Sequence, residues 1–165
     1  MSLRRLIKHL SMSRWQLRRY FPENSLRAIE QAIKASETGH QGEIRFAAEA
    51  ALDGAALFRD QSSRERAIDL FSELRIWDTE HNNGVLIYLL LADRRVEIIA
   101  DRGIHTKAGD AAWGKICRDM ESYFQRAEYE AGVIAGIQAV TQHMIRHYPT
   151  GHNTRNELPD QPVLL

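Results

Sequence analysis

The sequence predicts an α/β fold: a three-layer α/β/α sandwich with a small mixed β-sheet and helices on both faces. Three observations predict it. A strand–helix–strand order makes the two strands parallel, with a right-handed crossover. A tight connection at Asp93-Arg94 then returns the chain as an antiparallel third strand. The middle strand, residues 85–91, is apolar on both sides, so helices must cover both faces of the sheet.

The first half of the domain follows from hydrophobic spacing. Pro22 suits a helix start, and an apolar residue at every third or fourth position predicts a helix that ends at Thr38-Gly39. Residues 43–48 alternate charged and apolar side chains, which is typical of a half-buried strand, and Asp53-Gly54 breaks this pattern. A second amphipathic helix contains residues 67–74, with Ser62 or Ser63 as its cap.

The second half contains two strands and two helices. Asn83-Gly84 introduces the strand at 85–91, and residues 96–100 form its hairpin partner. Helices are expected from Asp110 to about Arg126 and from Tyr129 to just before Tyr148. We therefore divide the chain into a basic arm (1–21), one α/β/α domain (22–149) and an extended tail (150–165).

Composition limits the class of protein. The chain has 165 residues with 22 basic and 22 acidic side chains, and its longest apolar run, residues 85–92, is too short to cross a bilayer. A single cysteine, Cys117, excludes an intramolecular disulfide and a cysteine-cluster metal site. A reducing compartment is compatible with this composition, and we expect a cytoplasmic protein.

The arm concentrates positive charge. Residues 1–20 hold six basic side chains and no acidic one, and Leu3, Leu6, Ile7 and Leu10 recur at helical spacing. The arm lacks the apolar core of a signal peptide. It is either a helix docked on the domain, a solvated arm, or an amphipathic segment that rests on an anionic membrane surface. Nucleic acid is not the expected partner; an unknown protein partner stays open.

Topology gathers several polar residues at one edge of the sheet. The first two strands begin there, at Glu43 and Gly84, and the third strand ends there, before Asp101. The loop at 79–83 and the helix start at Asp110 belong to the same edge. Sites are usually built on such loops.

The residues at this edge resemble a known family. The motifs are Gly42-Glu43-Ile44-Arg45, Thr79 followed by Asn83-Gly84-Val85-Leu86-Ile87-Tyr88, Asp101-x-Gly103-Ile104 with Trp113 after it, and Asn156-Glu157-Leu158-Pro159-Asp160. In this order they resemble the TPM domain, in particular its short bacterial branch. The resemblance implies an α/β/α sandwich, binding of calcium or magnesium, and a disputed weak phosphatase activity of plant members. Many members carry Asp-x-Ala-Gly where this chain has Phe21-Pro22-Glu23-Asn24, so a metal ligand in that segment would be missing or replaced by Glu23 or Asn24.

A hard-cation site is the first candidate at this edge. Its expected ligands are Asp78, Asn83, Asp101 and Asp110, because carboxylate and amide oxygens suit calcium and magnesium. Local structure explains the same residues without a metal, as a turn at Asn83-Gly84 and as helix caps at Asp101 and Asp110. Residues expected to surround the site are Glu43, Arg45, Thr79, Arg102, Gly103, His105 and Trp113.

Other assignments stay open. A phosphatase would use a metal on Asp101 and a phosphate contact from Arg102 or Lys107. His143 and His147, with His152 nearby, have a spacing compatible with zinc. Glu43 and Arg45 share a strand face and are expected to form a salt bridge.

Three functions follow in order of preference. The first is a cation-binding accessory module, which requires no nucleotide or organic cofactor. The second is a weak acid-phosphatase-like hydrolase, and the third is a protein-interaction or membrane-surface module. The tail motif, Asn156 to Asp160, is disordered or docks on its own domain or on a partner.

Overall fold

The computed structural model describes residues 2–151 and 155–165. In chain order its elements are α1 (Leu3–Ser11), α2 (Arg14–Tyr20), α3 (Glu23–Glu37), β1 (Glu43–Glu49), α4 (Gly54–Phe58), α5 (Ser63–Glu73), β2 (Gly84–Leu90), β3 (Arg95–Ala100), α6 (Arg102–Ala108), α7 (Asp110–Gln125), α8 (Tyr129–His147) and β4 (Val163–Leu164).

The sheet is small and mixed, as the sequence predicts. Its strand order is β3-β2-β1-β4. β1 and β2 are parallel, with Glu43 opposite Gly84 at one end and Glu49 opposite Leu90 at the other. β3 runs antiparallel to β2, and the short β4 lies parallel to β1. Two strands therefore begin, and one ends, at the edge that contains Glu43.

Helices cover both faces and form two separate cores. On one face, Ile44 and Phe46 of β1 pack with side chains from α3, α7 and α8. On the other face, Ala47 of β1 and Tyr88 of β2 pack with side chains from α4 and α5. These three layers confirm the predicted α/β/α sandwich.

Most helix boundaries agree with their sequence signals. Pro22 is the N-cap of α3 and Thr38 is its C-cap. Ser62 and Glu65 form a reciprocal capping box on α5: the Ser62 Oγ accepts from the Glu65 N–H, and the Glu65 carboxylate accepts from the Ser62 N–H. Asp110 is not the cap of α7 but its first residue; Gly109, with φ of 81°, is the N-cap.

Two short helices occupy segments that the sequence signals assign to turns and connections. The Asp53-Gly54 break leads directly into α4, since the Asp53 carboxylate accepts a hydrogen bond (2.7 Å) from the Ala56 N–H. α6 follows β3 without a loop. None of the described helices combines the length and apolarity that a bilayer crossing requires.

Candidate functional site

The candidate site lies where β1 and β2 begin and β3 ends. The backbone N–H of Asp101 donates to the carbonyl of Gly84 at 2.8 Å, which joins the end of β3 to the start of β2. The Glu43 N–H donates to the Asn83 carbonyl at 3.4 Å, which joins β1 to the same point. The edge predicted from topology therefore brings together Glu43, Asn83 and Asp101.

Asn83 is fully buried at this edge. Its Nδ2 donates to the Gln41 carbonyl at 3.0 Å, and its backbone N–H donates to the Thr79 hydroxyl at 3.2 Å. The Oδ1 atom of Asn83 has no hydrogen-bond partner among residues 2–151 and 155–165. Thr79 thus holds the backbone of Asn83, and the amide oxygen remains available to a group from outside the described chain.

Asp101 has a similar unpaired oxygen. Its Oδ1 accepts from the Arg102 N–H at 2.6 Å at the start of α6. Its Oδ2 is buried and has no partner in the part of the chain that the structure describes. Asp101 can therefore be both the helix cap and the metal ligand that the sequence suggests, because Oδ1 caps α6 while Oδ2 stays available.

Gly103 allows α6 to approach the preceding loop closely. A Cβ at this position would lie 2.5 Å from the Asn82 carbonyl oxygen and 2.8 Å from the His81 carbonyl oxygen. Backbone atoms cannot yield as a flexible side chain can. A glycine is therefore needed here to keep Asp101 against the loop.

The other two expected ligands do not complete a metal site with this pair in the described residues. Asp78 lines a polar cleft of about 300 Å³. Asp110 is 86% exposed in its side chain and lies 3.6 Å from His105. Nowhere in the described residues are three or more His, Cys, Asp or Glu side chains grouped so that they could hold a metal ion. The structure thus brings together Asn83 and Asp101 but not all four residues.

The polar cleft, here called the edge cleft, connects the loop before β2 with the tail. It is lined by Gln41, Asp78, Glu80, His81, Arg155, Asn156 and Glu157. The Glu157 carboxylate accepts from the Glu80 N–H at 3.0 Å, which closes one side of the cleft.

The tail motif docks on its own domain. The Glu43 carboxylate accepts from the backbone N–H groups of Glu157 (3.0 Å) and Leu158 (3.2 Å). Arg45 donates to the Pro159 carbonyl. Leu158 is buried in the core beneath α4 and α5. Glu43 and Arg45 form no ion pair with each other among the described residues; both bind the tail instead.

Two buried acids, Glu43 and Asp160, and the half-buried Glu37 lie around Arg45. Burial raises the pKa of Glu37 to about 9, and the carboxylates of Glu43 and Asp160 add to the shift. Burial also raises the pKa of Glu43 to about 7, although the two tail N–H groups oppose this change. The pKa of Arg45 is lowered by its own burial. The single positive charge of Arg45 thus interacts with three carboxyl groups, and not all three are ionised at neutral pH.

Glu37 and His40 were not found from the sequence. Burial lowers the pKa of His40 to about 4, and its Nδ1 accepts from the Gly42 N–H at 3.1 Å. Both residues follow or end a helix, where a polar side chain is ordinary. Only the docking of the tail encloses Glu37 beside Asp160, and no local pattern signals that contact.

The surroundings of three further groups, Trp113, the histidines of α8 and Cys117, favour a role in packing rather than in chemistry. Trp113 is buried, with its ring centroid 5.4 Å from that of His143. His143 and His147 lie on α8, while His152 lies outside the described residues. Burial raises the pKa of Cys117 to about 12, so its thiol is neutral and a poor nucleophile at neutral pH.

Comparison with solved structures identifies proteins of the same shape. The NMR structure of BA42 protein from the psychrophilic bacterium Bizionia argentinensis superposes with a TM-score of 0.74 at 26% identity, covering 86% of this chain and 93% of that chain. The NMR structure of an N-terminal domain of a P. gingivalis protein has a TM-score of 0.61 at 18% identity, covering 87% and 96%, and shows similarity of fold alone.

Comparison of sequences gives the family. A search of curated proteins finds no match. The family model described as the TPM domain matches residues 18–143, which includes β1, β2, β3 and the edge formed by Asn83 and Asp101. The chain therefore belongs to the TPM domain family.

Proposed function

We propose that the protein is a non-catalytic module that binds a divalent cation, calcium or magnesium, at the edge formed by Asn83 and Asp101. The observation that carries the proposal is the pair of buried oxygens, Asn83 Oδ1 and Asp101 Oδ2, which lack partners among the described residues. An unsatisfied buried acceptor costs about 1–3 kcal/mol, so two of them at one edge suggest that a ligand completes them.

The chemistry of the pair fits a hard cation. Both atoms are oxygens, and one belongs to a carboxylate. Magnesium commonly retains several waters and uses only one or two carboxylates, so a cation held by Asn83 and Asp101 would complete its coordination with water. Asp78, in the edge cleft, and Asp110, exposed beside His105, would contribute through the local negative charge rather than as direct ligands.

The proposal does not extend to hydrolysis. Of the side chains expected to contact phosphate, Lys107 lies 4.0 Å above the ring of Tyr148. The neutral thiol of Cys117 does not favour nucleophilic catalysis. Arg102 is exposed next to Asp101 and is the described side chain that best fits a phosphate contact.

The test is a backbone-amide NMR titration of metal-stripped protein with calcium and then magnesium. We expect saturable shifts confined to the loop before β2 and to the start of α6. Asp101→Asn should weaken the binding by roughly tenfold or more, the size expected for loss of one charged contact. The amide of the variant still caps α6, since Asn and Asp are equally good caps.

Asp53→Asn is the matched control. Asp53 caps α4 at the opposite edge of the sheet, so the same chemical change there should leave the titration unaltered. No shift at millimolar ion, or equal affinity of Asp101→Asn and the unsubstituted protein, would refute the cation site.

A further inference from the structure

The N-terminal helix α1 packs with its polar side toward the domain. The Arg5 guanidinium contacts the Asp93 carboxylate (3.0 Å), the Asp60 carboxylate (2.8 Å) and the Gln61 carbonyl (2.6 Å). His9, 3% exposed, places Nε2 at 3.0 Å from Asp93. Charged and polar side chains therefore attach this helix, with Leu6 as the apolar residue that packs against the core.

The tautomer of His9 is fixed by its neighbours. Its Nδ1 accepts a hydrogen bond from the Leu52 N–H at 3.0 Å, so Nδ1 carries no proton. Nε2 then carries the proton and donates it to the Asp93 carboxylate. This arrangement sets the rotation of α1 about its axis.

With that rotation, the apolar side of α1 faces solvent. Leu3, Ile7 and Leu10, here called the apolar stripe, are 72%, 57% and 76% exposed. Their spacing of four and three residues places them on one face of the helix. Trp15, in the following helix α2, is 68% exposed. Four large apolar side chains within thirteen residues are thus left uncovered.

Basic side chains accompany the apolar stripe on α1 and continue on α2. Arg4 and Lys8 lie one turn apart on the same flank of α1, and Arg14, Arg18 and Arg19 follow on α2. All five are exposed, and none forms an ion pair with another described residue, although Arg14 donates to the Leu164 carbonyl at 3.5 Å and the Arg19 guanidinium lies 5.8 Å from the centroid of the Trp15 ring. Apolar side chains beside bases that no acid neutralises are typical of a helix that lies in the plane of an anionic lipid surface.

Charge decides between the two occupants that fit an apolar stripe. A symmetric pair of copies would place the same five bases against each other, because a two-fold interface uses one patch twice. Residues 1–20 contain no acid that would compensate them. An anionic bilayer offers both a phosphate layer for the bases and an acyl boundary for the leucines.

We propose that α1, with Trp15, binds reversibly to an anionic membrane surface. The helix has nine residues, a length of about 14 Å, so it is too short to cross a bilayer and would lie in the plane of the surface, with its stripe at the boundary between headgroups and acyl chains. Arg5 and His9 remain on the domain, and the TPM domain is held close to the lipid without unfolding.

The experiment is vesicle co-sedimentation of the full chain in the presence of a chelator, which removes bridging by divalent cations. Vesicles contain phosphatidylcholine alone or with roughly one third phosphatidylglycerol. We expect binding to the anionic vesicles and little to the neutral ones, weakening as salt screens the charges. Arg4→Gln and Lys8→Gln should each reduce the affinity roughly fivefold.

The apolar contribution needs its own variant. The triple variant Leu3→Ser, Ile7→Ser, Leu10→Ser removes the stripe and should abolish sedimentation, while its far-UV spectrum and melting temperature stay close to those of the unsubstituted chain because all three side chains are exposed. Phe58→Ser, which removes an equally exposed (75%) ring on α4, is the matched control and should bind as the unsubstituted chain does.

Three results would overturn the proposal. They are absence of binding to anionic vesicles, binding that the triple variant retains, and a stripe-dependent dimer at micromolar concentration in sedimentation velocity. The last would assign the stripe to a second copy of this chain.

Discussion

Replacing Glu37 by Gln should stabilise the protein at alkaline pH and leave it unchanged at acidic pH. The ordinary pKa of Glu37 is 4.5, and burial beside Glu43 and Asp160 raises it to about 9. Between these values the folded state holds a proton that the unfolded state has released. Below pH 4.5 Glu37 is protonated in both states and does not lower the free energy of unfolding. Above pH 4.5 the free energy of unfolding decreases as the pH rises toward 9.

The magnitude follows from the shift. The unfolded state loses this proton near pH 4.5, and pH 8 lies about 3.5 units higher. At about 1.36 kcal/mol per unit, the loss of folding stability caused by Glu37 at pH 8 is therefore about 5 kcal/mol at most. Glu37 is only half-buried and shares its proton with neighbouring carboxyls, so solvent screening reduces the effect. We expect Glu37→Gln to gain about 1–2 kcal/mol at pH 8. The Gln amide can still donate toward Asp160, as the protonated carboxyl does.

Urea denaturation at pH 5 and at pH 8 measures the difference. Glu23→Gln, an exposed position at the start of the same helix, is the control and should change stability little at either pH. Equal effects of Glu37→Gln at both pH values, or a loss at pH 8, would contradict the assignment of a protonated Glu37 in the folded state.

Three further changes test the packing. Gly84→Ala would place a Cβ 2.1 Å from the Ile76 carbonyl oxygen and should destabilise by several kcal/mol (about 3 or more) in thermal unfolding, whereas Gly54→Ala, with open space around it, should be tolerated. Equal tolerance of both would refute the close approach. Leu158→Ala should lose about 2–3 kcal/mol and make the tail more susceptible to protease; unchanged stability would mean that the tail is not docked. Asp93→Asn should speed amide exchange throughout α1, and unchanged exchange would show that this carboxylate does not hold the helix.

Patterns carried by neighbouring residues were sufficient for most of the fold. The alternation at 43–48 and the continuous apolar run at 85–91 identify β1 and β2, and the crossover rule makes them parallel. That rule, with the antiparallel hairpin that follows, places Glu43 and Asp101 at one edge of the sheet from the chain order alone. The spacing of apolar residues identifies these strands, and the order of the connections between them determines their directions.

Long-range contacts explain what was missed. α4 begins at Asp53-Gly54, a pair that usually marks a turn, and it is held by burial of Leu57 in a core whose members are distant in sequence. Glu37 has an ordinary helix-end environment until the tail covers it. The four expected cation ligands are similar residue types in similar loops, but only Asn83 and Asp101 turn a buried, unpaired oxygen to the edge.

The two central strands differ in polarity, since β1 carries charged side chains and β2 does not, and this difference affects how the strands align. β2 is apolar on both faces, so its polarity pattern does not fix its alignment with β1; only Gly84, packed against Ile76, and the Tyr88 hydroxyl, which donates to Glu49 at 2.6 Å, mark particular positions on this strand. β1 would not accept a one-residue slip, because Glu43, Arg45 and Glu49 all point to one side, where the tail and Arg66 receive them. A slip would turn all three charges into the core under α3, α7 and α8. The charges of β1 therefore contribute most of the preference for the correct alignment, and neutralising them should loosen the choice between alignments before it lowers the overall stability.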